Sequence, residues 1–153
     1  MDDVATFLHL LGALLFVSGI TVAGAAFETA RRRKQPAEIA VLLQLTLLGV
    51  ALVAVGGVML PIFGLWLVHI EHYSYGAGWI DAAIGLYVIM LVLGHLGARR
   101  PRRARLLSTR LASEGLPVND ELRALLDDPV SRAANYAALA LVLAILVLMV
   151  FKP

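Results

Sequence analysis

Four apolar stretches, each long enough to cross a lipid bilayer as helix, constrain this chain more than anything else in it. They run over residues 4–30, 39–70, 79–98 and 130–151. Crossing ~30 Å of hydrocarbon takes ~20 mostly apolar residues at 1.5 Å per residue. In lipid every backbone N–H and C=O must be satisfied within the segment, and runs of this length without strict alternation do not suit barrel strands. The expected fold is an all-α membrane protein, a four-transmembrane-helix bundle forming a single domain over residues 1–153. Composition agrees, with 60% hydrophobic residues and 16% charged ones, more apolar than a water-soluble core of this length requires.

The cations then set an orientation. Of 13 Lys and Arg residues, four form the run Arg31 to Lys34 and five lie between Arg99 and Arg105. Arg110, Arg123 and Arg132 share the same connection, and only Lys152 lies elsewhere. The positive-inside rule makes the 1–2 loop and the 3–4 segment cytoplasmic, so both termini are expected outside. The loop between the second and third spans carries no Lys or Arg, which agrees. Asp2 and Asp3 precede the first span and Arg31-Arg32-Arg33-Lys34 closes it, the pattern of an uncleaved anchor rather than a signal peptide. The chain has no cysteine, so neither a disulfide nor a thiolate can contribute.

Small residues recur every seven positions: Gly12, Gly19 and Ala26 in the first span, Gly49 and Gly56, then Gly57 and Gly64, in the second. Such spacing places each set on one helix face and predicts seams of close backbone packing. The second run, continued as helix, extends ~48 Å, well past the bilayer core. Pro61 and the Gly56-Gly57 pair supply a place to bend, and the end near Pro36 is expected to project into the cytoplasm. Trp66, Tyr73, Tyr75 and Trp79 mark the outer interface as an aromatic belt.

Residues 99–128 are expected to form a short cytoplasmic amphipathic helical segment of two helices. The first is closed by Gly115 and Pro117, the second is capped by Asn119, and Asp128-Pro129 starts the fourth span. Leu106, Leu107 and Leu111 interleave with arginines, which predicts an interfacial helix lying apolar side down on anionic lipid. Arg99, Arg100, Arg102, Arg103 and Arg105 are its lipid-binding residues. The absence of aromatic interleaving or a known module argues against nucleic acid.

Ionisable residues near membrane depth are candidate functional groups. Glu28 and His95 are expected at one depth near the inner face, with Gln44 and Asn135 close by. Their functional reading is a proton- or cation-linked site; the competing one is an interfacial pair, with Glu28 partnered by neighbouring arginines. Toward the outer face lie His9, His69, Glu71, His72 and Asp81. His9 and His69, from different helices, are the best pair for bis-histidine haem b, and His9, His69, His72 and Asp81 could hold a divalent metal such as zinc or copper(II). No Ser-His-Asp spacing, P-loop, dinucleotide fingerprint or HExxH motif supports an enzyme.

The opening FLHLLGALLFVSG resembles that of small bacterial four-helix membrane proteins, including copper-resistance protein D-like and HemJ-type protoporphyrinogen oxidase-like families. In these a histidine near the helix start precedes an aromatic residue and a glycine; His9 matches the histidine, while Phe16 and Ser18 stand where tryptophan and glycine are common. The chain as a whole more closely resembles a bacterial family of predicted integral membrane proteins of unknown function, through that opening, a GLWLV segment, a WI start to the third span and the terminal LMVFKP. The resemblance implies a bacterial inner-membrane location and lends no activity. Two functional classes follow: a non-enzymatic structural or accessory subunit, as a homo-oligomer or in a larger membrane complex, and a haem- or metal-binding protein with its site around His9 and His69. A small transporter or proton-linked carrier is a third alternative.

Overall fold

A computed structural model describes residues 2–74 and 76–151, with no side-chain description of Asp2; Tyr75 of the expected aromatic belt lies outside the described residues. Among the described residues there are six helices and no strand: α1 Asp2–Arg31, α2 Pro36–Ile70, α3 Gly78–Gly97, α4 Arg99–Ser113, α5 Asp120–Leu126 and α6 Pro129–Phe151. The helices α1, α2, α3 and α6 are the four apolar runs, each within a helical stretch long and apolar enough to cross a membrane.

The four spans pair as two hairpin-like couples, α1 with α2 and α3 with α6. In the first couple the seven-residue glycine stripes face each other in antiparallel register. A Cβ at Gly12 would sit 2.9 Å from Met59 Cβ and 3.5 Å from Gly56 O, and one at Gly19 only 2.6 Å from Gly49 O. Reciprocally, Gly49 faces Gly19 O at 2.7 Å and Gly56 faces Gly12 O at 2.5 Å. Only a missing Cβ lets two backbones come this close, and close approach supplies the dispersion contacts that hold helices together where lipid is as apolar as leucine.

The couples meet in mid-bundle. Phe16, Met90, Ala138 and Val142 form a buried cluster to which Val53, Leu60 and Tyr87 add, so each of the four spans contributes. Phe16 and Tyr87 meet as tilted rings with centroids 6.4 Å apart.

At the basic end the structure departs from the expectation for α4. Most of its apolar side packs on protein. Ala104, Ser108 and Leu111 are buried, and with Leu122 and Leu126 of α5 they close over Ala30, Ile39 and Leu43 at the ends of α1 and α2. The physical reason is the excess length of α2. Its 35 residues reach ~52 Å as helix, and the projecting first turns offer apolar surface that two short helices can bury. Arginines and Leu106, which is 59% exposed, occupy the outward side of α4.

The helix ends carry the expected chemistry. Asn119 Oδ1 accepts from Leu122 N at 2.9 Å, and Gly115, at φ 66°, ends α4 with Leu116 N bonding back to Leu111 O. The end of α2 uses the same paired pattern, Tyr73 N to Val68 O and His72 N to His69 O, but the left-handed position is His72 at φ 55°.

Candidate functional site

The residues marked by their chemistry fall into two places, a polar node among the spans and a lattice of charges at the basic end. The node begins with Pro61. Having no N–H, it leaves Gly57 O without its helical partner four residues on, although the helix continues through it. The Tyr87 hydroxyl of α3 donates to that carbonyl. One turn away, His9 of α1 donates from Nδ1 to Leu60 O at 3.1 Å, so Nδ1 carries a proton. His9 packs over Gly64, where a Cβ would meet its Cε1 at 3.0 Å. Three helices are thus linked by two hydrogen bonds to carbonyls flanking one proline.

This arrangement answers the histidine expectation. His9 pairs with a main-chain carbonyl and not with a second imidazole. It lies against the α2 face that carries Leu60 and Gly64, whereas His69, five residues past Gly64, is ~7.5 Å further along the helix and ~140° around it. His69, His72 and Asp81 are all exposed, and His72 serves as the turn residue that ends α2. Among the described residues no group of three or more His, Asp or Glu side chains is placed to hold a metal ion. No such group gathers His9, His69, His72 and Asp81 among the described residues, and helix periodicity turns His69 away from the α2 face on which His9 lies.

The Glu28–His95 pairing does not form either. Glu28 binds Arg31 at 2.8 Å and lies 3.8 Å from Arg32, while His95 is exposed on α3. Gln44 is exposed on α2, and Asn135 packs over Gly24, joining α6 to α1.

The lattice at the basic end ties the short helices to the spans. Arg31 bridges Glu28 and Asp127, the latter at 3.0 Å. Arg123 donates to Arg31 O at 2.9 Å and to Arg33 O, satisfying carbonyls that the end of α1 leaves open. Asp128 is buried just ahead of α6. One carboxylate oxygen accepts from both the backbone N–H and the hydroxyl of Ser131 at 2.8 Å, and the other is paired with Arg100. Burial by itself would push this carboxyl up; the Ser131 hydrogen bonds and the Arg100 charge outweigh it and hold the group below its ordinary value. Of the five arginines expected to meet lipid, Arg100 is thus engaged by protein, while Arg99, Arg102, Arg103 and Arg105 have no carboxylate partner among the described residues. The capping role of Asp128 is legible in the sequence, but its pairing with Arg100 and the contacts of Asp127, Arg123 and Tyr87 are not; for Tyr87 the available signal is Pro61, which leaves the carbonyl four residues before it in need of a donor.

Two tight helix couples joined through one cluster and closed at a single basic end define a multi-pass, four-span integral membrane protein. The chain belongs to the family described as predicted integral membrane protein, DUF2269, whose model matches residues 3–153. No curated protein and no solved structure matches it.

Proposed function

We propose that this protein is a non-enzymatic membrane subunit that acts by docking a partner helix, from a second copy or a larger complex, along α3. It lies in a bacterial inner membrane with both termini outside, an orientation supported by the gathering of the arginine-rich connections at one end of the bundle. The observation that carries the reading is the uncovered face of α3. Gly78, Ala82, Gly85, Ile89, Val92 and Leu96 share one helix face and all are exposed, and a Cβ at Gly78 or Gly85 meets nothing within 4 Å. The glycine interval is the one that brings α1 and α2 together. Here no helix fills it.

The chain's lack of cysteine gives a clean test. A single cysteine in place of Gly85 or Ala82 is expected to cross-link under mild oxidation in native membranes, to itself or to a partner, while a cysteine at Val88 cross-links less. A protein that stays monomeric at both positions would refute the reading.

A further inference from the structure

We infer that the basic end carries a defined site for one anionic phospholipid, with an acyl chain in the groove between α3 and α6 and the phosphate held by Arg99 and Arg132. The groove is open, about 440 Å³, and apolar, walled by Leu93, Leu96 and Gly97 from the end of α3 and by Pro129, Ala133 and Ala137 from the start of α6. The two helices are in close contact at Gly97, where a Cβ would stand 2.9 Å from Ala134 Cβ, and the small side chains beside that contact leave the groove.

Charge identifies the occupant. Arg31, Arg32, Arg33, Arg100 and Arg110 have carboxylate partners and Arg123 is bound to carbonyls; of the exposed arginines with neither among the described residues, Arg99 and Arg132 stand next to groove-lining residues in the chain. Arg99 comes two residues after Gly97, and Arg132 is one helical turn from Pro129. The Arg100–Asp128 pair fastens the start of α4 to the start of α6 at this point, so the two cations stay beside the opening. Arg102 and Arg103, exposed on the same outward side of α4, add to the positive field. Unpaired guanidinium groups suit phosphate geometry, and an apolar channel below them suits a chain rather than a free anion. The site shares only Leu96 with the α3 face read above as a partner surface, and its remaining wall and both its cations lie outside that set.

Native mass spectrometry of the full-length protein in a neutral detergent, titrated with phosphatidylglycerol or phosphatidylcholine of equal chain length, tests this. One phosphatidylglycerol is expected to bind at least ten-fold more tightly than phosphatidylcholine. Arg99→Gln and Arg132→Gln should each weaken it about five-fold. Ala133→Phe, which fills the channel and leaves every charge in place, should weaken it as well, and Arg110→Gln should not. Equal binding of the two lipids would overturn the proposal. So would native affinity in Ala133→Phe, or an Arg110→Gln loss equal to that of Arg99→Gln, since either means diffuse charge without a built site. A dimer that Ala133→Phe converts to monomer would place a second copy in the groove, and the lipid site would fall.

Discussion

Replacing Gly49 by alanine tests the seam between α1 and α2 most sharply, because two opposing effects have different signs. Within a helix, glycine to alanine stabilises by ~0.5–1 kcal/mol through the restricted unfolded chain and better propensity. At position 49 the added Cβ would lie 2.7 Å from Gly19 O, 2.8 Å from Ala23 Cβ and 2.9 Å from Ala23 N. Two of these are main-chain atoms, so no side-chain rotation relieves them. The helices must separate by roughly half an ångström or more, and overpacking of this kind costs ~1–3 kcal/mol. The steric cost prevails, and Gly49→Ala is expected to lose ~1–2 kcal/mol net. Gly94→Ala, off the α3 face read above as a partner surface, is the control: its Cβ meets nothing within 4 Å, so only the favourable contribution remains. Because Gly19 and Gly49 face each other's carbonyls, the double variant should cost less than the sum of the singles, the first alanine having already parted the helices. Reversible unfolding in mixed micelles would measure all four proteins. Gly49→Ala as stable as Gly94→Ala would refute the packing argument.

Other outcomes follow from the same contacts. Tyr87→Phe leaves Gly57 O without a donor beside Pro61 and is expected to destabilise by ~1–3 kcal/mol, with faster amide exchange around residues 57–61. Asp128 titrates below its ordinary value when folded, so its contribution is present at neutral pH and is lost as pH falls from the ordinary carboxylate range through the folded value. Thermal unfolding followed down to acid pH should show that loss, and Asp128→Asn should remove that part of the slope. For orientation, a cysteine at Ser74 should label from outside the cell and one at Ser113 only after permeabilisation; the reverse would invert the topology. His72→Gly, at the left-handed end of α2, is expected to stabilise by up to ~1 kcal/mol, since glycine takes that backbone without a Cβ penalty.

The sequence alone determined the spans. Apolar runs ending at residues 30, 70, 98 and 151 became helices ending at Arg31, Ile70, Gly97 and Phe151, because hydrocarbon leaves a chain little choice but helix. It also determined the local ends, through Asn119, Gly115 and Asp128, whose capping hydrogen bonds reach only a few residues away. The seven-residue glycine spacing announced a seam, and the structure decided that Gly19 meets Gly49 and Gly12 meets Gly56, a register that no single helix contains. What covers an apolar face was likewise beyond periodicity. The leucines of α4 and α5 looked ready for lipid, and only the projecting length of α2 in three dimensions gave them protein to bury against. The histidines show the limit most plainly. Similar depth brought His9 and His69 together on paper, but rotation about the helix axis sets contact, and that rotation put His9 on a carbonyl beside Pro61 and His69 on the exposed side of α2.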